Sequence, residues 1–323
     1  MEEYKLFIDG EFVDAKDGDT FESIDPGTGM PFATVAKAAR ADAEAAIAAA
    51  RNAFDSGVWS GLTPQARAEK INAFADQVTQ QTLRMAIMEA MDAGQIIGLS
   101  KYWGMLGGQL LRNYGHYAAY QFPWEEEIPY AGNVFAPGRD YIRREPVGVC
   151  VGIIPWNFPM SMAFWKIGQA IAMGNTIVLK PATSTPVGAL IIAEAAKAAG
   201  IPKGVINVLP GPGGELGRIL CTHPDVDKIA FTGSTEVGRS IMKMAADTVK
   251  KVTLELGGKS ANIICDDADI DLAVEGALFG TFFHQGQVCE SGTRVLVHAG
   301  IYDDFIGKMK ARAESLQIGY QLD

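Results

Sequence analysis

Four short apolar runs constrain this chain more than any other feature. VGVCVGII (147–154), TIVLK (176–180), VINVL (205–209) and KIAFT (228–232) are rich in Val and Ile and lack polar alternation. Strands of that kind are covered on both faces, as in parallel sheets. Between and after them lie helix-like stretches near 160–173, 186–199, 215–222 and 236–247. Repeated strand–helix–strand units of this length give a parallel, doubly wound α/β sheet with right-handed crossovers. Ligands of such sheets bind beyond the carboxyl ends of the strands. The residues that end each strand are therefore the candidate functional residues.

The rest of the chain is read around that sheet. With 323 residues and about 150 per domain, two domains are expected. Residues 4–13 predict a hairpin turning at Asp9-Gly10. The following 110 or so residues read as mostly helical: an Ala-rich helix over 40–55, a second from Thr63-Pro64 to Gly94, and a third over 99–120. The stripe Ile71, Phe74, Val78, Met85, Met88 keeps helical spacing through the second. The proline-bearing QFPWEEEIPY (121–130) is the crossing to the sheet. After it, strands at 252–256, 261–264 and 293–297 and helices at 270–283 and 301–316 resemble the opening of a second α/β unit.

Charge and cysteine usage exclude several classes. Lys and Arg number 28 against 38 Asp and Glu, a net charge of −10, where a nucleic-acid binder needs a basic surface. Cys150, Cys221, Cys265 and Cys289 form no C-x-x-C pair and no zinc-type spacing with histidine, so no metal site is expected. Free thiols suit a reducing, cytoplasmic setting. The start MEEYKLFIDGEFVDA has no signal-peptide pattern, and no apolar run reaches the 18 or so residues of a membrane span.

The first strand ends in Pro155-Trp156-Asn157-Phe158-Pro159, which either presents an amide at the strand end or makes a rigid turn with a capping Asn. The second ends in Lys180-Pro181-Ala182-Thr183, the third in PGPGGELG (210–217), and the fourth in Gly233-Ser234-Thr235-Glu236-Val237-Gly238. Glycines ahead of a helix let backbone N–H groups approach a phosphate. Two tempting motifs fail. Gly211, Gly213 and Gly217 put Leu216 where the dinucleotide fingerprint needs its third glycine, and the Walker-like Gly257-Gly258-Lys259-Ser260 has Thr253 where the loop's first glycine belongs. Glu255 sits in the otherwise apolar VTLELGG, as a structural hydrogen-bonding residue or as a base whose partial burial raises its pKa. Cys289 lies in a Gly-rich polar turn, unlike Cys150 inside a buried strand, and is the better nucleophile candidate.

PWNFP (155–159), KPA (180–182), FTGSTEVG (231–238), LELGGKS (254–260) and GQVCESGTR (286–294) follow the order and approximate spacing of the aldehyde dehydrogenase superfamily, which the chain resembles throughout. The resemblance implies a Rossmann-like dinucleotide-binding domain over 1–127 and 147–256, and a bridging arm over 128–146, the overlapping YIRREPVG (141–148) resembling the family arm that bridges subunits. It also implies the N-terminal part of a catalytic domain over 257–323. Family chains continue further, through a Glu-x-Phe-Gly-Pro segment that is not found here, so the second domain is expected to be truncated.

The implied activity is oxidation of a small-molecule aldehyde with hydride transfer to NAD or NADP. By the same resemblance, Cys289 is the nucleophile, Asn157 the oxyanion donor and Glu255 the base for thioester hydrolysis. Lys180 holds the adenosine ribose, and Ile154, Trp156, Gly213, Phe231, Gly233, Ser234 and Gly238 line the dinucleotide cleft. Leu256 and Gly257 lie near the nicotinamide, and Phe158, Met162 and Trp165 line the aldehyde tunnel and favour an uncharged aliphatic or aromatic aldehyde. Thr183 stands where NAD-preferring members often carry a glutamate, so acceptance of NADP is expected. A homo-oligomer, dimer or tetramer, is implied for the full-length form. Two other readings stay open: an inactive dinucleotide-binding fragment, and a cofactor-independent cysteine esterase.

Overall fold

The chain opens with three short strands, β1 (Glu2–Tyr4), β2 (Leu6–Ile8) and β3 (Glu11–Val13), followed by β4 (Thr20–Asp25) and β5 (Met30–Ala36) in a computed structural model that describes residues 1–129 and 138–323. β2 and β3 form the expected hairpin, with Asp9 and Gly10 at φ 51° and 77°, the left-handed pair that a two-residue turn requires. The expectation of mostly helix after residue 13 fails for β4 and β5. These two strands pair antiparallel around Pro26-Gly27-Thr28-Gly29, and β1 adds in parallel to β5.

Four helices follow: α1 (Arg40–Asp55), α2 (Pro64–Gln80), α3 (Thr82–Ala93) and α4 (Ile97–Tyr120). Thr63 caps α2, its Oγ1 accepting from Ala66 N at 3.2 Å. The single helix expected from 63 to 94 is two, broken at Gln81 (φ −98°, ψ 7°). α3 stops where Gly94 takes φ 71°, a left-handed C-terminal geometry that costs glycine little. β6 (Glu125–Ile128) and β7 (Asp140–Arg143) then pair as an exposed antiparallel ribbon. The arm expected over 128–146 includes residues 130–137, which lie outside the described residues, as does Tyr130 of the expected crossing.

The doubly wound region runs β8 (Val149–Ile153), α5 (Pro159–Ala172), β9 (Thr176–Lys180), α6 (Val187–Ala198), β10 (Ile206–Val208), α7 (Gly213–Thr222), β11 (Lys228–Gly233), α8 (Thr235–Ala246) and β12 (Lys251–Leu256). The sheet order is β12-β11-β8-β9-β10-β2-β3. Five parallel strands are thus extended by the N-terminal hairpin, which joins antiparallel at β10. The chain leaves β8 toward β9 and β10, then returns to place β11 on the other side. The strand order reverses there, which puts the ligand crevice of such a sheet at the ends of β8 and β11. One face is packed by Phe74, Phe164, Ile167 and Leu190, the other by Ile47, Leu216, Leu220 and Ile241.

Beyond the sheet come β13 (Ala261–Ile264), α9 (Ile270–Phe282), a 3-10 turn at Phe283–Gly286, β14 (Arg294–Val297) and α10 (Tyr302–Glu314). β13 and β14 pair in parallel, and Ile264, Val274, Leu278 and Phe305 form a separate small core. The chain then returns to the first strands. Tyr320 Oη donates to Asp25 Oδ2 at 2.7 Å, and Ile97 N donates to the Gln321 carbonyl at 2.8 Å.

Two acids on α3 connect the early helices to the sheet. Glu89 and Asp92, three apart, are buried. Glu89 Oε1 accepts from Met160 N at 3.2 Å, in the first turn of α5. Asp92 Oδ2 accepts from Val187 N at 2.8 Å, at the start of α6, while its Oδ1 accepts from Ser23 Oγ at 2.6 Å. Neither helix has a side-chain cap of its own. Burial pushes the Glu89 carboxyl up to about 8, with Asp92 adding repulsion, and pushes Asp92 up to about 7. Both pKa values are raised on folding. The stability they contribute is therefore full below the unfolded carboxylate range and is lost as pH rises through about 7 to 8. Glu89→Gln keeps an acceptor for Met160 N and removes the titration. In thermal unfolding at pH 5, 7 and 9, the parent is expected to lose more stability than this variant on going alkaline, by up to about 1.4 kcal/mol per pH unit inside the window.

Candidate active site

The strand-end segment after β8 meets the cysteine segment directly. Pro155 and Pro159 bracket Asn157, and the half-buried Asn157 side chain donates Nδ2–H to the Gln287 carbonyl at 2.6 Å, two residues before Cys289. Its own carbonyl accepts from Gln95 Nε2 at 3.1 Å. The cysteine segment is shaped by two non-glycine residues at left-handed φ, His284 (48°) and Gln285 (54°). The His284 ring packs at 4.9 Å on Phe158, and Trp103 meets Phe158 edge-on at 5.8 Å. Burial lowers the His284 pKa. Cys289 itself is exposed.

Glycine at 258 accommodates a close approach. A Cβ there would stand 3.0 Å from the Cys289 carbonyl, so the turn after β12 passes against the cysteine backbone. That turn leads back to Glu255. The expected partial burial of Glu255 is not observed: Lys251, Thr253 and Glu255 share the exposed face of β12, opposite the half-buried Val252, Leu254 and Leu256. Glu255 lines a cavity of about 560 Å³ with Met162, Trp165, Lys166, Thr232 and Thr253. Of the residues expected to line a tunnel, Met162 and Trp165 face this cavity, whereas Phe158 is buried in the aromatic cluster.

Lys166 was not expected from the sequence. Its Nζ donates to Thr232 Oγ1 at 2.9 Å, and burial lowers its pKa to about 8 although the Glu255 charge acts the other way. No spacing rule joins Lys166 to Thr232, 66 residues away. Gln95 and His284 were missed for the same reason.

The expected cofactor residues line the carboxyl edge of the sheet. Ile154 and Phe231 are buried beneath it, and Trp156 is 50% exposed. Ser234 caps α8, its Oγ accepting from Val237 N at 3.3 Å. A Cβ at Gly238 would stand 2.7 Å from Leu256 Cδ2, so α8 packs tightly on β12, with Gly233 at its entrance. At Gly213 and Gly257 a Cβ meets nothing within 4 Å. The starts of α7 and α8 lie along this edge, and a helix N-terminus suits an anionic group. Lys180 is 3% exposed, and its Nζ donates to the Pro181 carbonyl at 2.9 Å. Thr183 Oγ1 donates to the Gly211 carbonyl at 2.9 Å.

A doubly wound sheet whose strand ends meet an asparagine-held cysteine segment defines a protein of dinucleotide-fold architecture with an accessible thiol beside the crevice. The aldehyde dehydrogenase family model matches residues 12–323, and the chain belongs to that family. It is 46% identical over 320 residues to an aldehyde dehydrogenase of Aspergillus niger, covering 97% of this chain and 62% of that protein. To the human mitochondrial aldehyde dehydrogenase it is 42% identical over 322 residues, covering 99% and 61%. Among solved structures, betaine aldehyde dehydrogenase of Staphylococcus aureus in complex with NAD+ superimposes with a TM-score of 0.95 at 38% identity, over 99% of this chain and 62% of that one. The NAD+ complex of a Bacillus cereus aldehyde dehydrogenase gives 0.95 at 41% identity, over 100% and 65%. The chain therefore spans just over three-fifths of the length of these relatives.

The four thiols separate sharply. Cys150 and Cys221 are buried and pushed up to about 12 and about 11 by burial, whereas Cys265 and Cys289 are exposed. Titration of the folded protein with a thiol-specific disulfide reagent is expected to show two fast-reacting groups, rising to four on unfolding. Cys265→Ser and Cys289→Ser should each remove one fast group. Rapid modification of Cys150 in the folded state would contradict the packing of β8.

Proposed function

We propose that the chain carries the cofactor-binding and nucleophile-bearing part of an enzyme that oxidises an aldehyde to a carboxylic acid with NAD or NADP. The observation that carries this reading is the Asn157 amide hydrogen-bonded to the Gln287 carbonyl, beside Cys289. In it the Cys289 thiolate adds to the aldehyde carbon, and the carbonyl oxygen becomes an oxyanion that accepts from Asn157 Nδ2–H and the Cys289 N–H. A nicotinamide held along the carboxyl edge would supply the hydride acceptor, and loss of hydride from the former aldehyde carbon would leave a thioester on Cys289. Glu255, open to the cavity it lines, takes a proton from the water that hydrolyses that thioester, which releases the acid and the thiol. Met162 and Trp165 add apolar side chains to that cavity, which supports an uncharged aldehyde, although Arg144, Lys166, Lys228 and Lys251 also line it and Cys289 does not.

Residues 1–127 and 147–256 serve as the dinucleotide domain and 257–323 as part of the catalytic one. The β6–β7 ribbon suits a bridge between copies in a dimer or tetramer. Among the described residues no helix is long and apolar enough to cross a membrane, and four free thiols favour the reducing cytoplasm.

Reduced-nicotinamide formation from a simple aldehyde, followed by absorbance, tests the assignment. Cys289→Ala is expected to abolish turnover. Asn157→Ala should lower kcat by about 10²–10³. Glu255→Gln should retain the first hydride transfer as a burst and lose steady-state hydrolysis. Undiminished oxidation by Cys289→Ala would overturn the reading, while cofactor binding without turnover in the parent would identify an inactive dinucleotide-binding fragment. The same assay tests cofactor choice. The absence of a carboxylate at Thr183 lets a 2′-phosphate approach, so NADP is accepted, and Thr183→Glu should lower kcat/KM for NADP about tenfold or more relative to NAD.

A further inference from the structure

The turn that ends α3 reaches both sides of the proposed oxyanion site. Gln95 is fully buried, yet its only described hydrogen bond is the one its Nε2 donates to the Asn157 carbonyl at 3.1 Å, and its Oε1 has no partner among the described residues. A buried amide with an unsatisfied oxygen is destabilising relative to a satisfied one. An apolar side chain of similar shape avoids that cost, so packing alone does not explain a glutamine here. One residue earlier, the Gly94 carbonyl accepts from Gln285 Nε2 at 3.3 Å, in the cysteine segment. Asn157 in turn holds Gln287 at 2.6 Å. A closed circuit results: the turn after α3 grips Asn157, Asn157 grips the cysteine segment, and the cysteine segment grips the turn.

We infer that Gln95 is a positioning residue, which fixes the Asn157 backbone so that its side-chain amide is aimed at the oxyanion formed on Cys289. This rests on the proposed role of Asn157. Gln95 touches no reacting atom. It acts by preventing rotation of the 156–158 peptides, and small misplacements of an oriented donor cost large factors in rate.

The test compares two reactions of the same thiol in a Cys265→Ser background, with modification assigned to Cys289 by peptide mass. Acylation by p-nitrophenyl acetate passes through a tetrahedral oxyanion, whereas alkylation by iodoacetamide displaces iodide and forms none. Gln95→Met, which fills the space without a donor, is expected to slow acylation about 10- to 100-fold and to change alkylation less than twofold. Gln95→Lys, which restores an N–H donor of similar reach, should recover most of the acylation rate. Equal slowing of both reactions would mean a disordered cysteine segment and overturn the inference, as would acylation at the parental rate in Gln95→Met. Asn157→Ala in the same assay keeps the two readings apart. If it leaves acylation unchanged, the oxyanion role of Asn157 fails. If it slows acylation and Gln95→Met does not, only the positioning role fails.

Discussion

Two helices of the doubly wound sheet begin inside the protein, where water does not reach their first N–H groups. Met160 and Val187 are both fully buried, and an orphan amide there must find an acceptor. Glu89 and Asp92 supply it from the last turns of α3. The rest of the site depends on this arrangement. The start of α5 fixes where the Asn157 segment leaves β8, and the start of α6 fixes the turn that carries Lys180 and Thr183. α3 thereby becomes part of the site, although its sequence carries no active-site motif. Its acids act as caps supplied from another helix, and burial raises their pKa values so that the neutral form bears much of the cost of being buried.

That dependence explains what was legible in the sequence. Strands buried on both faces write themselves as unbroken Val and Ile runs, so β8 to β11 and the helices between them were readable within two residues or so. The hairpin at Asp9-Gly10 was readable from its turn, but its docking beside β10 was not, since pairing between residues 7 and 208 leaves no local trace. β4 and β5 carried a signal in their Pro-Gly-Thr-Gly turn, obscured by the strong helical pattern that follows. Glu255 shows a different failure. Read from Val252 the strand looks apolar, whereas starting one residue earlier gives strict alternation of Lys251, Thr253 and Glu255 against Val252, Leu254 and Leu256. A period of two marks a strand with one open face, and the alternating exposure along β12 bears that out.

Among the site residues, Cys289, Asn157 and Glu255 stood out because each is a polar group in an unusual setting of prolines, glycines or apolar neighbours. Gln95, Lys166 and His284 did not, because their significance lies in what they meet across the fold. Gln95 meets a backbone carbonyl 62 residues away, and Lys166 a hydroxyl 66 residues away. Side chains that act through position are invisible to spacing. They become visible once burial is set against hydrogen bonding, since a buried polar group demands a reason.

The same accounting sharpens the cofactor edge. Lys180 and Thr183 look in sequence like two groups ready to receive a 2′-phosphate, but the structure engages both. The Lys180 ammonium is buried on the Pro181 carbonyl, with its pKa lowered to about 8 by burial, so part of its charge is absent near neutral pH. The Thr183 hydroxyl donates its only proton to Gly211 and offers lone pairs outward, which a phosphate does not want. What suits an anion at this edge is therefore the exposed backbone at the starts of α7 and α8, which on the proposed reading would serve the pyrophosphate common to both dinucleotides. Discrimination at the adenosine ribose then rests on the absence of a repelling carboxylate, not on a dedicated phosphate grip. On the proposed reading, such an edge admits NADP without favouring it.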